Sequence, residues 1–402
     1  MVNRPHQIVI VGGGAAGITV AATLHRKDKR LNIAIIEPSE KHYYQPGWTL
    51  VGAGVFDRKV TERDEKDFIP ENAQWIKEYA TRLLPDKNTV VLKSGEEITY
   101  EYLILCPGIQ IDWHKIKGLE ASIGKHGICS NYGYQFASYT YECIKNFNGG
   151  TALFTCPNTP VKCGGAAQKI MYLACDNFRK RGILNRADVR FTTAGGTLFG
   201  VKIFADALAK VVERYGIKTD WFHNLKEIRG DKKEAVFEII KDGKPVEEVT
   251  IPYDMIHVTP PQSAPDFIKE SPFANQKGWI DLDSTTLRHK QYTNVFGLGD
   301  ASGTPNPKTA AAVRKQAPVV AENLLQVIKN GSLSKPSEYT GYGACPIITA
   351  YGRLILIEID YTHNPVPTFP LNPARERYSM WLLKKYLLPW LYWNRMLRGK
   401  PC

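Results

Sequence analysis

Short apolar runs, each closed by a turn or a charge, recur along the chain. Gln7–Val11 reads as a strand and leads into Gly12-Gly-Gly-Ala-Ala-Gly17. A helical pattern then continues to about Lys27, and Ile33–Ile36 reads as a second strand closing on Glu37. Similar runs at Tyr102–Leu105, Thr151–Thr155 and Asn294–Leu298 end on Cys106-Pro-Gly108, a proline-rich segment and Gly299-Asp300. Strands alternating with helices predict an α/β fold. The last apolar stretch, Met380–Leu397, is broken by Lys384, Lys385 and Arg395. No run approaches the ~20 apolar residues of a membrane-crossing helix.

A chain of 402 residues predicts two or three domains. The net charge of +12 points to an anionic partner. Without zinc-finger spacing or an RNA-binding motif, that partner is expected to be a lipid surface and not nucleic acid. The glycine motif begins too early to leave room for a signal or transit peptide, so a peripheral, monotopic place on the cytoplasmic face of the membrane is expected. The eight cysteines do not suggest a disulfide scaffold, and most read as small buried residues. No metal-ligand spacing appears.

The first segment has the order of a dinucleotide site. Gly12 permits the turn, Gly14 lets backbone approach a pyrophosphate at the helix N-terminus, and Gly17 lets helix pack on strand. Glu37 is placed for a ribose diol. Asn294–Asp300 resembles the second FAD fingerprint of flavoproteins with two dinucleotide-binding domains, and Tyr102–Gly108 resembles their intermediate strand. The three pieces in this order point to FAD over NAD. They also imply two Rossmann-like units. The FAD unit spans 1–115 and 250–335, and a second unit spans 116–249. The remainder, 336–402, reads as a C-terminal region with an amphipathic membrane-binding segment. In NADH-using relatives of such flavoproteins a second GxGxxG follows the strand that Thr151–Thr155 resembles, and here the nicotinamide site reads as degenerate. Cys156-Pro-Asn-Thr-Pro-Val-Lys-Cys163-Gly-Gly stands there instead.

Four stretches together resemble the sulfide:quinone oxidoreductases, most of all the branch containing the mitochondrial enzyme. They are Glu37–Gly54, Pro157–Cys163, His257-Val-Thr-Pro-Pro and Leu391–Gly399. The resemblance implies oxidation of hydrogen sulfide to sulfane sulfur through a cysteine pair, with electrons passing by FAD to a membrane quinone and the sulfur to a small acceptor. Cys163 matches the first cysteine of the pair, Cys345 looks like the second, and Cys129 weakly resembles a third found in other branches. Ala301 departs from relatives that carry cysteine after Gly-Asp. The implied FAD-binding set is Gly12, Gly14, Ala15, Gly17, Glu37, Gln45, Ala80, Pro107, Gly108, Gly299, Asp300, Lys308 and Thr309. A homo-oligomer is compatible with the sequence.

The chemistry fits these residue types. Hydrosulfide attacks a disulfide or polysulfide and expels a thiolate, which is a nucleophile toward the flavin. A helix start and the adjacent Lys162 favour thiolate at Cys163. Cys143, Cys175 and Cys106 read as packing, Cys402 as incidental, and Cys156 as the reserve partner. The helix beginning near Lys308 is placed to stabilise negative charge on a reduced flavin. Met380–Arg398, with five aromatics and basic residues, predicts an interfacial helix pair hinged at Pro389. Competing readings are a type II NADH:quinone oxidoreductase, a flavocytochrome-type sulfide dehydrogenase subunit and a non-enzymatic redox-sensing flavoprotein.

Overall fold

The computed structural model describes residues 5–402. β1 (His6–Val11) is buried along its length after the first two residues, α1 (Ala15–Lys27) crosses over it, and β2 (Ile33–Ile36) returns beside it. β3 (Ala73–Ile76), the hairpin β4 (Ala80–Leu84) and β5 (Thr89–Leu92), and β6 (Glu97–Leu105) follow. The parallel order is β3-β2-β1-β6, and β5 joins the first residues of β6 antiparallel. Continuous apolar strands suit a sheet covered on both faces.

The second unit opens with β7 (Ile128–Cys129), α2 (Tyr134–Asn146), β8 (Gly150–Cys156) and α3 (Ala166–Lys180). β9 (Ala187–Thr193), α4 (Lys202–Tyr215) and β10 (Lys218–Trp221) continue it. Three antiparallel strands follow: β11 (His223–Arg229), β12 (Glu234–Lys241) and β13 (Lys244–Pro252). β14 (Met255–His257) then inserts between β7 and β8, giving the parallel order β7-β14-β8-β9-β10. The return to the first unit therefore comes after His257, later than the boundary at 250 read from the sequence. β15 (Val295–Gly297) pairs with β6, and α5 (Ala310–Asn330) packs against α1. Both units are thus Rossmann-like, with their ligand-facing loops at the carboxyl ends of parallel strands.

The C-terminal region is a hairpin, β16 (Gly343–Ala350) and β17 (Arg353–Ile359), laid on α3. α6 (Tyr378–Leu382), a π turn over Leu383–Leu387 and α7 (Leu388–Asn394) complete it. This is one helical run and not a pair hinged at Pro389, because the π turn takes up the local mismatch ahead of the proline. Among the described residues no helix is long and apolar enough to cross a membrane.

Candidate functional site

The expected dinucleotide segments converge at the carboxyl ends of the parallel strands of the first sheet. Gly12 has φ +105°, and a Cβ there would stand 2.4 Å from the Cys106 carbonyl oxygen. A Cβ on Gly17 would lie 1.8 Å from the Gly12 oxygen, so glycine is what lets α1 meet β1. Space beside Gly14 is open, as close approach by a phosphate requires. Ala15 opens α1, and Pro107 touches the Gly12 turn, with Gly108 beside it. Glu37 accepts the Gly13 N–H at 2.8 Å and the Ser39 N–H at 2.8 Å, and burial raises its pKa. Ala80 starts β4 and packs on the cluster that holds Val11 and Ile36.

Gly299 comes within 3.1 Å of the Ala16 Cβ when a Cβ is added, which sets Asp300 against the start of α1. Burial raises the Asp300 pKa, opposed by the ammonium groups of Lys308 and Lys162. Lys308 donates to the Asp300 and Ser302 carbonyls at 2.7 and 2.9 Å and stands 4.0 Å over the Trp279 ring. Thr309 caps α5 by accepting from Ala312 N–H at 3.2 Å. These features fit a flavin dinucleotide: a glycine turn with open approach, an acid at each end and a helix N-terminus between the units.

The loop that replaces a second glycine fingerprint is tied to the first unit. Lys162 N–H donates to Gln262 Oε1 at 2.9 Å, Gln262 N–H to Thr159 Oγ1 at 3.0 Å, and Cys163 N–H to the Lys308 carbonyl at 2.9 Å. Cys163 has φ +53°, a left-handed conformation costly for a residue with a Cβ. That backbone directs its thiol toward the hairpin, where Cys345 Sγ lies 3.5 Å away.

Lys169, in the first turn of α3 and buried, donates to Cys163 Sγ at 2.9 Å. The Cys345 thiol, with Lys169 and Lys384, holds Cys163 well below the usual thiol range against its burial. The thiolate on Cys163 raises Cys345 in turn, together with burial. Lys384 comes from the π turn and is only 3% exposed. Its ammonium donates to the Pro46 carbonyl at 2.9 Å, and burial lowers its pKa to about 7. Tyr132, buried, faces the same thiols with a hydroxyl that has no protein partner among the described residues.

Several expectations need correction. Lys162 does not serve Cys163: its Nζ donates to Gln45 Oε1 at 2.7 Å and its charge faces Asp300. Cys129 is not brought to the pair. It sits on β7 under α2, a free thiol donating to the Ile256 carbonyl. Cys156 ends β8 and burial pushes its thiol up to about 11. In the tail, Tyr392 and Trp393 point inward into an aromatic pocket of His42, Tyr44 and Phe68, Trp381 points inward against Tyr351, and only Tyr386 and Trp390 face out. Sequence reasoning passed over Lys169 and Lys384. Each stands in a largely apolar stretch but next to another polar residue, Gln168 or Lys385, so the sequence alone does not single it out.

Residues 6–136 match the family described as pyridine nucleotide-disulphide oxidoreductase. The chain is 48% identical to the mitochondrial sulfide:quinone oxidoreductase of Mus musculus over 98% of its own length and 87% of the relative's. It is 46% identical to that of Dictyostelium discoideum, covering 98% and 86%. In three dimensions it is similar to the sulfide:quinone oxidoreductase of Aquifex aeolicus, with a TM-score of 0.83 at 19% identity over 98% of this chain and 92% of that one.

Proposed function

The chain belongs to the sulfide:quinone oxidoreductase family, and we propose that it oxidises hydrogen sulfide at Cys163 and Cys345 and passes two electrons through FAD to a membrane quinone. The observation that carries this reading is the 3.5 Å approach of the two sulfurs with the Lys169 ammonium 2.9 Å from one of them. A direct S–S bond is about 2.05 Å, so the two free thiols stand in contact, a small closure short of a direct bridge. FAD would be held by the Gly12–Gly17 turn, Glu37 and Asp300, and when bound it would supply a two-electron acceptor for the cysteine pair and a donor for quinone.

The chain's own residues carry the rest. Hydrosulfide attacks a sulfur of the bridged pair, forming one S–S bond as another breaks, and leaves a persulfide on one cysteine and a thiolate on its partner. Lys169 and Lys384 stabilise that anion, which is Cys163 on the pKa ordering given above. Transfer of the sulfane sulfur to a small nucleophilic acceptor leaves a thiol on that cysteine, and the Cys163–Cys345 bond re-forms as two electrons and a proton leave the pair, for which a bound FAD would be the acceptor.

The surface that meets quinone is proposed to be the tail. Leu382, Tyr386, Leu387 and Trp390 are 37%, 58%, 46% and 52% exposed and form one apolar stripe. Such a stripe suits monotopic docking on a lipid surface, with the cytoplasmic leaflet proposed from the sequence reading. The test is steady-state reduction of a short-chain quinone with sulfide plus sulfite as sulfur acceptor. Quinol formed one-for-one with sulfide consumed supports the reading. Quinone reduction driven by NADH and not by sulfide overturns it.

A further inference from the structure

Two buried carboxylates meet at one main-chain position of the dinucleotide turn. A Cβ on Gly13 would stand 2.6 Å from Glu37 Cγ and 2.8 Å from Glu65 Oε1, so only glycine admits both acids there. Glu65 is 1% exposed. Its Oε2 lies 2.8 Å from His42 Nδ1, whereas its buried Oε1 has no hydrogen-bond partner among the described residues. An unpartnered buried carboxylate oxygen is costly, and a second acid alongside makes it more so. Burial raises the Glu37 pKa, and the charge of Glu65 adds to that rise. A ligand offering two adjacent O–H donors relieves both acids at once, and a ribose diol is such a group.

On the other side, His42 Nε2 lies 2.7 Å from the Tyr392 hydroxyl, across 350 residues of chain. Burial holds the Tyr392 pKa well above its ordinary value, so the phenol keeps its proton and donates it to Nε2. The imidazole proton then resides on Nδ1 and is donated to Glu65. His42 is wedged between Phe68 and Trp393, with ring centroids 5.5 and 5.8 Å away, which fixes its orientation. The chain Tyr392, His42, Glu65 therefore aims the free Glu65 oxygen at the Gly13 edge.

We propose that Glu65 is a second ribose-binding carboxylate beside Glu37, oriented by Tyr392 of the C-terminal helix through His42. The helix that bears the exposed stripe thereby also grips the adenosine end of FAD. The inference rests on the assignment of FAD to this site.

The test is the FAD dissociation constant of the full chain. Apoprotein is titrated with FAD by flavin fluorescence, and melting temperatures are taken with and without FAD. Glu65→Gln, Tyr392→Phe and the double variant are compared with wild type. Each single variant is expected to weaken FAD by ~5-fold or more, the scale of a hydrogen bond to a charged group. The double variant is expected to bind no more weakly than Glu65→Gln alone, because the two residues act through one contact. A smaller FAD-induced rise in melting temperature, measured against each variant's own apoprotein, separates this role from a general loss of packing. Wild-type affinity in both single variants means that the Glu65 oxygen meets only a buried water, and overturns the inference. Additive losses overturn the coupling to the tail. Should Glu65→Gln not fold, Tyr392→Phe, which keeps the ring, decides by itself. Failure of the wild type to bind FAD at all refutes the cofactor assignment, a separate outcome.

Discussion

The sulfurs of Cys163 and Cys345 stand 3.5 Å apart although 182 residues separate them in the chain. Each is delivered by a different element, Cys163 by the loop before α3 and Cys345 by β16 packed on that helix. A Cβ on Gly165 would come within 2.9 Å of Cys345 Sγ, so the helix start is bare where the hairpin thiol passes. The pair is thus built into the junction of the second unit and the C-terminal region.

The Lys169 and Lys384 ammonium groups both favour thiolate at Cys163, beside the Cys345 thiol. Lys169→Met is expected to move the pH midpoint for alkylation of the reduced Cys163 upward by about 1 to 3 pH units, the usual reach of an adjacent opposite charge. Lys384 carries its charge below a pKa of about 7 and loses it as pH rises through that value. Lys384→Met is therefore expected to slow Cys163 alkylation at pH 6 and to change little at pH 9. Iodoacetamide labelling followed by mass spectrometry of the Cys163 peptide checks both.

Cys129→Ser and Cys156→Ser are expected to keep more than half of wild-type sulfide turnover. The Cys129 thiol is directed to the Ile256 carbonyl, and burial holds Cys156 protonated near neutrality. Initial rates with a short-chain quinone test this, and a loss of ten-fold or more in either variant would return that cysteine to the mechanism.

The glycine turn, Glu37 and Gly299-Asp300 were legible in the sequence because each is dictated by local backbone chemistry. The cysteine pair was legible only through its motif resemblance, since nothing near Cys163 specifies Cys345. Lys162 was expected to serve the thiol because it is adjacent in sequence. Lys169 does so because one helical turn carries it back over Cys163. A buried lysine has the same one-letter signature as an exposed one, and only the tertiary pocket around Lys384 tells them apart. The tail misled for the same reason. Its inward aromatics are matched by His42 and Phe68 for Tyr392 and Trp393 and by Tyr351 for Trp381, whose proximity no periodicity within the tail reveals.

Deleting the tail would strip Tyr392, Trp393, Met396 and Leu397 from the core of the first unit. Surface substitution is the cleaner probe of docking. Tyr386→Ser, Leu387→Ser and Trp390→Ser combined are expected to cut binding to anionic lipid vesicles by ten-fold or more while sulfide still bleaches the flavin. Burying three such side chains in the interface contributes a few kcal/mol, about 1 to 2 kcal/mol each. Co-sedimentation with vesicles measures it, and unchanged binding would exclude this stripe as the contact.

His257 is buried, and its Nε2 accepts the Asn131 N–H at 3.0 Å, steadying the segment that carries Tyr132. Burial lowers its pKa from 6.5 to about 3, so the folded protein keeps the imidazole neutral. Above pH 6.5 both folded and unfolded forms are neutral and nothing is lost. As pH falls below 6.5 the unfolded chain takes up a proton that the folded one refuses. The loss of stability from this group is about 2 kcal/mol at pH 5. His257→Gln is expected to flatten the fall in urea midpoint between pH 6.5 and pH 4, and an unaltered slope would assign that fall to other groups.

The central claim is that electrons enter from sulfide through Cys163 and Cys345 and not from a nicotinamide. The most direct measurement is an anaerobic stopped-flow titration of the flavin absorbance, with sulfide and NADH as separate reductants, on wild type, Cys163→Ser and Cys345→Ser. The account predicts rapid bleaching of the wild type by sulfide, none by NADH at micromolar concentration, and loss of the sulfide response in both variants with the flavin still bound. Bleaching by NADH, or by sulfide at the wild-type rate in either variant, would contradict it.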